Sequence, residues 1–181
     1  IGIQLYKEEY GEKNIFVCDS HSASCGETQL AYKAAEWSEE GLPFEEICRK
    51  LIEYRDQMNT YFVLDNLETL RKNGRLTGVK ALVASTLSIK PVMGANAGEI
   101  IQLGQAIGIK KALAKMAETV VKEAIHPEEK SLMITHCNCL ERAESVKKMI
   151  LEKINVKKVL IMDTRGVSSM YANDGGVIVT L

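Results

Sequence analysis

Two rhythms of apolar and polar positions alternate along this chain, and the switches between them predict its elements. Short apolar runs at Asn14–Cys18, Tyr61–Leu64, Ser88–Met93, Leu132–Thr135, Val159–Met162 and Gly176–Leu181 predict strands. The first ends at Asp19, as buried parallel strands do before a loop. Glu99–Ile107 predicts a further strand, paired with Ser88–Met93 through a hairpin at Gly94-Ala95-Asn96-Ala97-Gly98. Helical spacing recurs between these runs. Leu30, Ala34 and Trp37 fall on one face of Glu27–Glu40, with Gly41 as the stop. Ile47, Leu51 and Tyr54 share a face in the helix that follows, whose first turn suits Pro43. Lys110–Ala124 turns Leu113, Met116, Val120 and Val121 inward before His126-Pro127 breaks it, and Leu140–Ile154 repeats the pattern. The result is an α/β chain with a mixed β-sheet flanked by helices, since the hairpin is incompatible with an all-parallel sheet. The short polar stretch Gln57–Thr60 predicts a boundary, giving residues 1–58 and 59–181 as two units.

Composition narrows the function classes. The net charge of −1, with both signs interspersed, leaves no electrostatic footprint for nucleic acid. No segment reaches the roughly eighteen unbroken apolar residues of a membrane span. Five cysteines, odd in number and scattered through regular elements, suit reduced thiols and predict a cytoplasmic protein.

The segment Phe62–Pro91 holds the most specific chemistry. A short strand runs into a helix whose last turn has Arg71 and Lys72, and Gly74 then stands where a helix stop needs positive φ. Arg75 and Thr77 follow at once. A guanidinium and a hydroxyl beside helix ends can seat a carboxylate, and the same residues also serve as ordinary end groups. His136-Cys137-Asn138-Cys139 holds zinc-ligand types, but adjacent residues do not easily converge on one tetrahedral ion and no second cluster accompanies them. A strand-end histidine that satisfies a loop backbone group is the alternative. Cys18 or Cys25 with His21 could form a nucleophile pair, though no third residue is identified to orient the base. Asn173-Asp174-Gly175-Gly176 lets the backbone turn tightly or approach a ligand.

These residues, taken together, resemble the DegV family of fatty-acid-binding proteins. The family's second-domain signature is a FVLD-like strand, a lysine- and glycine-rich GRI[ST] turn, a helix and an IKP strand. Here the pieces read Phe62-Val63-Leu64-Asp65, Lys72-Asn73-Gly74-Arg75-Leu76-Thr77 and Ile89-Lys90-Pro91. Phe16-Val17-Cys18-Asp19-Ser20-His21-Ser22-Ala23-Ser24 is similar to its VxDSxSAS segment, and Ser131–His136 to its strand ending in histidine.

The resemblance implies a fold, a ligand and a partner. Residues 59–181 would be the second domain, and 1–58 the remainder of a Rossmann-like first domain of roughly a hundred residues more. The chain, which starts at Ile1, would then be a fragment. A long-chain fatty acid would be the bound ligand, its tail in an apolar tunnel partly lined by methionines, with no further cofactor and no metal. Arg75, Thr77 and Asn173 would contact its carboxylate. A separate fatty-acid kinase subunit would phosphorylate that carboxylate, leaving this protein a carrier and not an enzyme. The rival expectation is a small-molecule α/β enzyme using His21, Arg75 or His136. Two departures bear on the carrier. Asn173 stands where many members have the histidine of an HxGPG motif, and Ile107 and Ile109 stand where arginine is common. Asparagine still donates a hydrogen bond but brings no charge.

Overall fold

A computed structural model describes residues 1–76 and 88–181. Thr77 and the helix expected after it lie outside the described residues. Three helices come first: α1 (Gly2–Tyr10), α2 (Cys25–Glu39) and α3 (Phe44–Asp56). Then follow β1 (Thr60–Val63), α4 (Glu68–Lys72), β2 (Ile89–Asn96), β3 (Glu99–Ile107) and α5 (Ile109–Glu123). The chain ends with β4 (Ser131–His136), α6 (Leu140–Leu151), β5 (Lys158–Asp163), α7 (Gly166–Ala172) and β6 (Val177–Thr180). The strands form one mixed sheet in the order β3-β2-β1-β6-β4-β5. Among the described residues only β4 and β5 run parallel; β1 and β4 both pair antiparallel with β6.

Strand periodicity sorts the side chains onto two faces. Tyr61, Val63, Leu132, Ile134, Val177 and Val179 meet the apolar stripes of α5 and α6, forming the larger core. Phe62, Leu64 and Met93 enter a second, smaller cluster with Leu70 of α4 and Ala172 of α7. Coverage on both faces explains why β1 and β4 are buried at every position and read as unbroken apolar runs.

Helix α2 docks on the sheet through polar contacts. Ser24 Oγ lies 2.8 Å from Thr135 Oγ1, and Ser22 Oγ lies 2.7 Å from Thr60 Oγ1. The buried Gln29 amide donates to Tyr54 Oη at 2.6 Å and to the Ser131 carbonyl at 3.0 Å, while its oxygen accepts from Thr180 Oγ1 at 2.6 Å. Both ends of that amide are therefore satisfied, as burial requires.

Three expectations need correction. Asn14–Cys18 is not a strand; it forms no ladder, and Phe16 and Val17 are exposed. An apolar run becomes a strand only where a neighbouring backbone takes up its N–H and C=O groups. Helix α6 ends at Leu151, three residues short of the Ile154 expected from spacing, although Ile154 still packs against the core. Helix α7 has no counterpart among the predicted elements. Among the described residues no helix is long and apolar enough to cross a membrane.

Candidate functional site

The site is built outward from the end of β1. Asn66 accepts the Glu68 N–H at 2.7 Å through its side chain, an Asx turn that opens α4. The far end of α4 closes as the glycine stop predicts. Gly74 has φ 67°, its N–H reaches the Arg71 carbonyl at 3.1 Å, and the Arg75 N–H reaches the Leu70 carbonyl at 2.9 Å. That pair of bonds is a Schellman motif. It satisfies two helix-end carbonyls and turns the chain so that Arg75 is exposed. Arg71 is occupied by Glu68 through two bonds of 2.6 and 2.9 Å. Among the described residues the Arg75 guanidinium has no ion-pair or hydrogen-bond partner. Leu70 and Leu76, on either side of it, belong to the smaller apolar cluster. A cation thus stands at the edge of apolar side chains.

Asn173 comes to the opposite end of α4. Its Nδ2 donates to the carbonyls of Asn66 at 3.3 Å and Tyr171 at 3.1 Å, and its Oδ1 accepts from Thr69 Oγ1 at 3.3 Å. The residue sits at φ 53°, a conformation asparagine tolerates better than most side chains. Asn173 is therefore brought to α4, and its amide already brackets the β1–α4 loop. Thr77 lies outside the described residues.

Sequence reasoning missed the residue that ties this region together. Arg142 Nη1 donates to Asp65 Oδ2 at 2.6 Å and to the Gly175 carbonyl at 2.7 Å. Lys90 Nζ donates to the Asp65 carbonyl at 2.7 Å and lies 3.7 Å from Asp65 Oδ1. One signal was available. Arg142 occupies the first turn of α6, where the helix dipole disfavours a cation, so a partner elsewhere in the fold was to be expected.

The histidines take other roles. His136 is buried, and its Nδ1 accepts the Cys139 N–H at 3.3 Å, which satisfies one of the open donors at the start of α6. That acceptor role leaves the proton on Nε2, 3.6 Å from Asp163 Oδ1. His21, at φ 50°, lies 3.7 Å from Asp19 Oδ2. The structure does not bring His21, Arg75 and His136 together through any contact of their side chains.

The Cys25 thiol is fully buried and not poised for chemistry. Burial pushes the Cys25 thiol up, and its sulfur points at the Ile178 carbonyl at 3.6 Å. Burial also raises Cys139, against a smaller lowering by Arg142. Cys139 and Cys137 instead dock the glycine turn, with the Cys137 N–H donating to the Gly176 carbonyl at 3.0 Å and the Gly175 N–H to the Cys137 carbonyl at 2.9 Å. Among the described residues no three His, Cys, Asp or Glu side chains converge as metal ligands. Of the positions where arginine was expected, Ile107 is exposed at the end of β3, whereas Ile109 packs against the larger core.

A groove of about 310 Å³ lies between residues 18–20, α2 and α3, lined by Leu30, Ala31, Ala34 and Leu51 among others. Arg75 and Asn173 do not line it.

Comparison with known proteins agrees with this architecture. Residues 2–180 match the profile described as an uncharacterised protein of the DegV family. A DegV family protein from Ruminococcus gnavus, with a crystal structure refined with vaccenic acid, is 50% identical and superposes with a TM-score of 0.96. That match covers 99% of this chain and 64% of the other. The fatty acid kinase (Fak) B3 protein of Streptococcus pneumoniae, loaded with linoleic acid, is 27% identical with a TM-score of 0.86, over 98% of this chain and 63% of that one. A DegV domain-containing protein of Clostridium perfringens is 35% identical over 155 residues, which is 85% of this chain and 53% of the relative. The chain thus spans between about half and two thirds of the length of these relatives.

Proposed function

This chain belongs to the DegV family, and from that premise we propose that it forms part of a carrier for a long-chain fatty acid. The tail lies in an apolar tunnel, and the carboxylate is held near α4 and presented to a partner fatty-acid kinase subunit. The chemistry of phosphoryl transfer belongs to that partner. The carrier works in the cytoplasm, and residues 1–58 and 59–181 belong to its first and second domains.

The observation that carries this reading is the position of Arg75. It is a charge without a partner among the described residues, set between Leu70 and Leu76 of an apolar cluster that also holds Phe62 and Met93. Fatty-acid recognition asks for that combination. Each buried methylene contributes about 0.8 kcal/mol, so the tail supplies most of the affinity. A few polar groups then orient the head. Arg75 supplies the charge-assisted hydrogen bond to the carboxylate, Thr77 a hydroxyl, and Asn173 a neutral donor in place of the usual histidine, once the carboxylate displaces one of the backbone carbonyls, of Asn66 or Tyr171, that its two amide hydrogens engage. The Ruminococcus and Streptococcus proteins, which share this fold over the whole chain, both hold fatty acids.

Equilibrium binding of a long-chain fatty acid to the full-length protein tests the assignment. Arg75→Ala is expected to weaken binding about tenfold or more, the scale of a lost charge-assisted hydrogen bond. Unchanged affinity would remove Arg75 from the head-group site.

A further inference from the structure

We propose that Arg142 is a positioning residue for the anionic head group, a role that rests on the fatty-acid reading of the same site. It joins three segments that no local sequence signal connects. From the first turn of α6, its Nη1 holds Asp65, just after β1, at 2.6 Å and the carbonyl of Gly175, just before β6, at 2.7 Å. Lys90 from β2 holds the same Asp65 through its carbonyl at 2.7 Å. The turn so anchored carries Asn173 two residues earlier, and Asn173 is in turn bonded to Asn66 and Thr69 around the start of α4. A continuous set of polar contacts therefore runs from α6 to the start of α4, the helix whose far end is followed by Arg75.

The packing leaves little slack in this arrangement. Gly175 has φ 85°, and a Cβ there would collide with Asp65 Oδ2 and stand 2.5 Å from Arg142 Nη1. The guanidinium thus occupies the space beside the turn and sets how closely residues 173–176 approach the end of β1. Charge adds to geometry. The turn also carries Asp174, so the cations Lys90 and Arg142 balance the carboxylates of Asp65 and Asp174, and Arg142 supplies half of that positive charge. The side chains of Lys90, Asp65 and Arg142 are each at least two-thirds shielded from water, where charges are screened less than on an open surface. Loss of Arg142 would leave Asp65 facing Lys90 alone, leave the turn with one negative charge in excess and strip the Gly175 carbonyl of its donor. The consequence falls on the head group, not on the tail.

Palmitic acid and hexadecanol share a tail and differ in the head, so their affinity ratio separates positioning from general stability. In the full-length protein the ratio of acid to alcohol affinity is expected to fall about tenfold in Arg142→Met, the scale of a lost hydrogen bond to a charged group. Arg142→Lys, which keeps the charge, restores part of the ratio. Should Arg142→Met fail to fold, Arg142→Gln gives the same comparison. A wild-type protein that prefers the acid, with a variant that keeps the full preference even as both ligands weaken, overturns the role of Arg142 and leaves the carrier reading intact. A wild-type protein that binds neither ligand overturns the carrier reading, and this proposal with it.

Discussion

Gly175→Ala is expected to destabilise the protein by about 3 kcal/mol, combining the strain of a left-handed non-glycine residue with damage to a charged hydrogen bond. The two parts can be separated within the same chain. Gly98, at the tip of the β2–β3 hairpin, has nearly the same φ, 84° against 85°, but a Cβ there would meet nothing nearer than His21 Cα at 3.8 Å. Gly98→Ala therefore reports the backbone cost alone, about 1 kcal/mol. At Gly175 the added carbon would also displace Asp65 or Arg142 from their 2.6 Å contact. Urea unfolding of both variants measures the difference. Equal losses would mean that the turn relaxes freely and that the Asp65–Arg142 contact does not constrain it.

Ile134→Ala is expected to cost about 3–4 kcal/mol, within the range for truncating a fully buried aliphatic side chain. Ile134 lies in the middle of β4, with Val179 of β6 on one side and Ile161 of β5 on the other. It is wholly buried in the larger core together with Val120 of α5 and Val146 of α6. A sheet flanked on both sides and capped by two helices has little freedom to collapse into the space left by three carbons, so the cavity contribution should be near its upper range. The urea midpoint should fall while the slope stays constant. A loss below about 1 kcal/mol would show that the face of β4 is loosely packed.

The elements that were legible in the sequence are those whose signal is local. Gly74 after Arg71 and Lys72 predicted the stop of α4, and the Schellman bonds to Leu70 and Arg71 bear it out. The hairpin was legible because turn formers separate two strand-like runs, although β2 continues to Asn96 and only Ala97 and Gly98 form the turn. Helix α7 was not legible. Its seven residues include Gly166, Ser168 and Ser169, whose helix propensity is weak, and packing of Ala172 into the smaller cluster holds it. Asn14–Cys18 failed in the opposite sense, since its apolar run says nothing about whether a partner strand is present. The candidate site divides the same way. Arg75 and Asn173 stand in recognisable turns. What the sequence did not announce is the anchoring of the Asn173 turn by Arg142, which is 77 residues from Asp65 and 33 from Gly175, because no local pattern pairs residues so far apart.

Native mass spectrometry of the purified full-length protein, followed by organic extraction and identification of bound lipid, tests the carrier most directly. The expected result is one long-chain fatty acid per protein molecule, released on extraction and replaced when another fatty acid is supplied. A protein that arrives free of lipid and takes up no added fatty acid would contradict the function proposed for it, while leaving its DegV fold unchanged.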